Sequence, residues 1–89
     1  MLAIPENLVA KAESSSSILL TWDEVENAES YNVYRDGDSI ANVTNPTYTD
    51  KDLEYNTEYC YTGTAVKNDL ETNKSGEAWA HKFELPITT

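Results

Sequence analysis

Tyr31-Asn32-Val33-Tyr34-Arg35-Asp36-Gly37 is the stretch on which the fold of this chain turns. Its first five residues are rich in side chains that favour extended backbone, and Asp36-Gly37 supplies two neighbours suited to positive φ, the pair that closes a tight hairpin. Ile40 to Thr44 returns as a short strand, and Asn45-Pro46 stops it because proline has no N–H to give a ladder. Downstream, Thr47-Tyr48-Thr49 forms another short strand before the acidic turn Asp50-Lys51-Asp52. The run Thr57 to Val66 is the longest, with Tyr59, Tyr61, Gly63 and Ala65 on one face and Cys60, Thr62, Thr64 and Val66 on the other, which predicts a central strand. Lys67 to Ser75 is polar and turn-prone, and Glu77 to Phe83 closes the set, with Ala78 and Ala80 opposite Trp79, His81 and Phe83.

The same period of two extends upstream. Leu8, Ala10 and Ala12 alternate with Val9, Lys11 and Glu13, and Ile18, Leu20 and Trp22 alternate with Leu19, Thr21 and Asp23, across a turn at Ser14 to Ser17. Apolar residues at helical spacing recur nowhere. Strand starts near 8, 18, 31, 40, 47, 57 and 77 therefore predict an all-β domain of seven short antiparallel strands, the spacing of a sandwich.

Length and charge narrow the functional classes. The chain has 89 residues, which predicts one module over 1–89, with a core at about 4–83 and short linker remnants stiffened by Pro5 and Pro86. Sixteen Asp plus Glu against six Lys plus Arg give a net charge of −10, which repels nucleic-acid backbones and anionic lipid surfaces. No apolar run is long enough to span a bilayer, and no basic-then-apolar leader opens the chain, so any export signal is expected outside it. One cysteine, Cys60, excludes an internal disulfide and a cysteine-based zinc cluster.

The ordered residues resemble the fibronectin type III modules, in particular those of bacterial secreted carbohydrate-active enzymes. The likeness is carried by Pro5-Glu6-Asn7-Leu8, Ile18-Leu19-Leu20-Thr21-Trp22, Tyr31 to Gly37, Thr47-Tyr48-Thr49-Asp50, Leu53, Asn56 to Tyr61, Ala65-Val66 and Ser75. It implies an immunoglobulin-like sandwich, with three strands (first, second, fifth) packed on four (third, fourth, sixth, seventh). Trp22 is expected inside the sandwich on the second strand, where one large ring can touch both sheets. Tyr31, Val33, Leu53 and Tyr61 are expected as further structural residues. Tyr59 fits a tyrosine corner, a buried ring whose hydroxyl bonds to upstream backbone.

Residues capable of chemistry are sparse. His81 is the only histidine, so any Ser-His-Asp or Cys-His arrangement would have to use it, and no pocket is predicted for its partners. Cys60 beside Tyr59 reads as a semi-buried inert thiol. Asp36-Gly37-Asp38 and the acids of 50–54 lack the spacing of a calcium loop, and turn chemistry accounts for Asp36-Gly37. Sixteen acids on a small surface serve solvation, since a glycosidase needs one raised carboxyl pKa in an enclosed cleft. Asn42-Val43-Thr44 and Asn73-Lys74-Ser75 match the glycosylation pattern, accidentally if the chain is bacterial as the resemblance implies.

Alternation points Tyr34 and Trp79 outward on the larger sheet, where sugars can stack on rings, or a neighbouring module can pack. A bulge would reverse the facing of Trp79. The resulting expectation is a non-catalytic spacer or interaction module, monomeric in isolation, within a larger extracellular bacterial protein, with a polysaccharide-degrading enzyme as the parent the resemblance implies. Its partners would be neighbouring modules of the same chain. Two further readings are a carbohydrate-binding module using Tyr34 and Trp79, and a docking module whose acidic face steers a basic protein. No catalytic residue, cofactor or metal is expected.

Overall fold

The computed structural model describes residues 2–13, 17–51 and 57–82, with His81 and Lys82 described by their backbone alone. Eight strands follow in order: β1 Val9–Ala12, β2 Ile18–Thr21, β3 Ser30–Arg35, β4 Asp38–Val43, β5 Thr47–Asp50, β6 Thr57–Lys67, β7 Leu70–Glu71 and β8 Ala78–Lys82. They form two antiparallel sheets, β1-β2-β5 and β4-β3-β6 with β7 and β8 added to β6. The sandwich is the expected one. Asp36 (φ 52°) and Gly37 (φ 90°) close the two-residue turn from β3 to β4, as their positive-φ tolerance requires.

The larger sheet has five strands, not four, and the extra one lies in the segment expected to be turn alone. Asn68 (φ 52°) and Asp69 (φ 65°) both take left-handed backbone, so Lys67 and Leu70 pair across a second two-residue hairpin. Val66 faces Ser30 on one side and Glu71 on the other, while Tyr61 faces Arg35 and Ala78. Strands β7 and β8 therefore share one edge of β6, end to end. From Val66 to Tyr61 the chain takes five steps, whereas its partner takes seven from Glu71 to Ala78. An excess of two preserves side-chain parity, so Trp79 keeps its outward facing across the interruption.

Side chains continue the ladder through that gap. The Thr72 amide donates to the Ala65 carbonyl (3.0 Å), and the Ala65 amide donates to Thr72 Oγ1 (3.1 Å). Likewise the Ser75 amide donates to the Gly63 carbonyl (2.8 Å), and the Gly63 amide donates to Ser75 Oγ (2.9 Å). Two hydroxyls thus accept from β6 where a continuous strand would offer carbonyls, leaving neither amide unpaired.

Between the sheets lie Ile18, Leu20, Trp22, Val25, Tyr31, Val33, Tyr59, Tyr61, Ala65 and Ala80. Trp22 is buried as expected, but it stands one residue beyond β2, where its amide donates to the Pro46 carbonyl (3.2 Å). Its ring meets Tyr31 edge-on at 5.5 Å between centroids. The Tyr31 hydroxyl accepts the Val25 amide (2.8 Å), which supplies the polar partner that a buried tyrosine needs. The Tyr59 ring is buried too, while the stretch Leu53 to Asn56, where its corner partner was expected, lies outside the described residues, and Leu53 with it.

A polar cluster at Asp50 joins the sheets. Arg35 Nη1 donates to both carboxylate oxygens of Asp50 (3.0 and 2.8 Å), and the Tyr61 hydroxyl donates to Asp50 Oδ2 (2.7 Å). This pair also fixes the relative sense of the sheets. The end of β5 meets the end of β3 at Asp50 and Arg35, while Trp22, near the start of β5, meets Tyr31 near the start of β3. Strand β5 therefore runs with β3, and pairing then sets β1 and β8 in that same direction. The start of β1 and the end of β8 consequently lie at opposite ends of the sandwich.

Candidate functional site

The outer face of the five-stranded sheet carries both aromatics named from the sequence, Trp79 exposed and Tyr34 half-buried. Cys60 and Thr62 are two apart on β6 and share a face, and Trp79 pairs with the first while Tyr34 pairs with the second. Both rings therefore face outward on one surface, one strand apart on either side of β6 and on the order of 12 Å from each other. Their surroundings differ.

Tyr34 is engaged within the domain. The Lys74 ammonium sits over its ring, 4.5 Å from the centroid, and its hydroxyl donates to Glu71 Oε2. The same carboxylate oxygen accepts from Thr64 Oγ1 (2.6 Å) and Asn32 Nδ2 (3.0 Å). Three donors converging on one oxygen hold the Glu71 carboxyl below the usual carboxylate range, Thr64 first, and the contact to Glu71 raises the Tyr34 phenol. Beside this knot Asn42 Nδ2 donates to Asn32 Oδ1 (2.9 Å) and Ser30 Oγ (3.1 Å). These bonds tie the interrupted edge, residues 71–74, down onto the sheet.

Trp79 is more open. It is 55% exposed, and its Nε1 donates to Glu77 Oε1 (3.3 Å). Its strand partner Cys60 has its amide bonded to Asp36 Oδ1 (3.1 Å), and Glu58 occupies the next outward position on β6. The Cys60 thiol is held above its usual pKa, first by burial and then by Glu77, Asp36 and Glu58, which leaves it protonated and a poor nucleophile at neutral pH. Asp36, weighed above as an oxygen ligand, spends a carboxylate oxygen on backbone, and Asp50 is buried in the cross-sheet pair. Among the described residues no three His, Cys, Asp or Glu side chains gather as a metal site would require. On β8 the backbone of His81 pairs with Glu58 of β6, and its side chain lies outside the described residues.

Sequence reasoning assigned no side-chain partner to Arg35, Asp50, Glu71 or Lys74. Parity could have found the first two. Arg35 continues the inward series Tyr31, Val33, and Asp50 stands opposite the buried Ile18, so each puts a charge on an inner face and demands a partner. Nothing comparable marks Glu71, whose partners are brought to it by the β6–β7 hairpin.

Residues 3–78 match the family model described as the fibronectin type III domain. A poly(3-hydroxybutyrate) depolymerase of Ralstonia pickettii is 45% identical over 62 residues, which cover 70% of this chain and 13% of that enzyme. Exoglucanase B of Cellulomonas fimi is 29% identical over 92 residues, 98% of this chain and 8% of that one. Among solved structures, an Fn3-like protein from Clostridium thermocellum is 38% identical with a TM-score of 0.81, covering 86% of this chain and 88% of its own. The chain thus spans a small fraction of the length of the enzymes it matches.

Proposed function

The chain belongs to the fibronectin type III domain family, and from that premise we propose that it works as a non-catalytic spacer and interaction module inside a larger secreted bacterial enzyme that degrades a polymer. The observation that carries this reading is the asymmetry of coverage: most or all of the chain aligns within 13% and 8% of two enzymes named for the polymers they act on. One of those polymers is a glucan and the other a polyester, so the parent's substrate class widens from polysaccharides to polymers in general. The parent's activity and its export are part of the proposal.

The geometry supports a mechanical role. A leading end and a trailing end on opposite sides of the sandwich hold whatever is joined to them apart, and the cross-sheet Arg35–Asp50–Tyr61 contact resists shear between the layers. No acid, base and nucleophile converge among the described residues: the thiol is held protonated, and Glu71 is held ionised on an open surface. A carbohydrate platform, the other use of the outer face, would have to work with Trp79 while Lys74 covers Tyr34. The isolated domain is expected to run as a monomer and to release no product from cellulose, xylan, starch or poly(3-hydroxybutyrate). Turnover abolished by a single Asp or Glu substitution would overturn the reading, and retardation in gels containing soluble glucan would shift it to sugar binding.

A further inference from the structure

Each described aromatic–cation contact in the domain is built from the same three parts. Lys74 lies over Tyr34 with Glu71 on the phenol, and Arg35 lies over Tyr59 (5.8 Å) with Asp50 on the guanidinium. Trp79 has two of the parts. Its indole is 55% exposed, Glu77 is on its Nε1, and its partner Cys60 is flanked by Asp36 and Glu58. Among the described residues no cation covers it.

We infer that the surface around Trp79 on the outer face of the five-stranded sheet is a docking site for a protein segment that carries arginine. The guanidinium stacks flat on the indole while Glu58, Glu77 and Asp36 receive its N–H donors. A planar, weakly hydrated cation suits this site better than an ammonium, and indole is the strongest cation acceptor among the aromatic side chains. The net charge of −10 favours a basic partner before contact is made. Sugar hydroxyls can also donate to these carboxylates, but a neutral sugar gains nothing from their charge, whereas a guanidinium gains both. The inference goes beyond the accessory reading, which stands whether or not this one fails.

The test is a titration of the ¹⁵N-labelled domain with a blocked Gly-Arg-Gly-Arg-Gly peptide, its citrulline counterpart and cellohexaose. The indole N–H signal of Trp79 is expected to move saturably with the arginine peptide while that of buried Trp22 stays in place. Trp79→Ala, read on the Cys60 and Thr62 amides, and the double variant Glu58→Gln/Glu77→Gln should each weaken binding about fivefold or more. Added salt should weaken it further. No saturable shift at about 10 mM peptide, an equal response to citrulline, unchanged binding in Trp79→Ala, or a larger response to cellohexaose overturns the proposal.

Discussion

Asp50 is the residue at which polar contacts join the two sheets. Its carboxylate is 6% exposed at the side chain and takes two bonds from Arg35 and one from Tyr61, so removing it strands a half-buried guanidinium and a buried hydroxyl. Asp50→Ala should cost about 2–4 kcal/mol in urea unfolding, and Arg35→Met, which leaves the buried carboxylate without its cation, should cost at least as much. Tyr61 sets an alkaline limit. Burial first and Asp50 second raise its phenol well above the ordinary value, so stability is complete below about pH 10 and falls above it as the unfolded chain ionises. Tyr61→Phe should lose about 1 kcal/mol near neutral pH and show a shallower decline above pH 10. Glu71 has the opposite sign. Its carboxyl is depressed by the Thr64, Tyr34 and Asn32 donors, so its contribution is present above the ordinary carboxylate range and disappears as pH falls through the lowered value. The thermal midpoint of Glu71→Gln should lie below the wild type at pH 7 and converge with it toward pH 3. The core tyrosines and Trp22 could be read from alternation. The charged pair needed the further step of asking what an inward-facing charge must find.

At the level of elements, alternation located strands and tight-turn chemistry located Asp36-Gly37, because both are encoded within a few residues. Strand β7 escaped because two residues carry no periodicity, and the Asn68-Asp69 turn lacks the glycine that would have announced it. That absence is testable. Asp69 holds left-handed backbone at a cost that glycine avoids, so Asp69→Gly should raise the urea midpoint by the equivalent of about 0.5–1 kcal/mol. The interruption between β7 and β8 depends on hydroxyls. Ser75→Ala leaves the Gly63 amide, buried in the sandwich, without its acceptor and should cost about 1–3 kcal/mol, whereas Ser75→Thr, which keeps the hydroxyl, should cost less. One edge of β6 is thus covered by two short strands bridged by side chains, and only an even excess of residues keeps Trp79 outside.

For the whole molecule, a spacer must be stiff and must present its two ends apart. Leu2 lies beside Lys67, Asn68 and Leu70, at the far end of β6, while Lys82 pairs with Thr57 at its near end. The ten steps of β6 between them set a separation of about 34 Å. Topology delivers this arrangement, since β1 and β8 run in the same direction, and no local sequence signal encodes it. The most direct test is a distance measurement between spin labels on Leu2→Cys and Lys82→Cys in a Cys60→Ser background. One narrow distribution centred near 34 Å is the predicted result; a broad distribution, or one centred below about 20 Å, would contradict a rigid module that holds its neighbours apart.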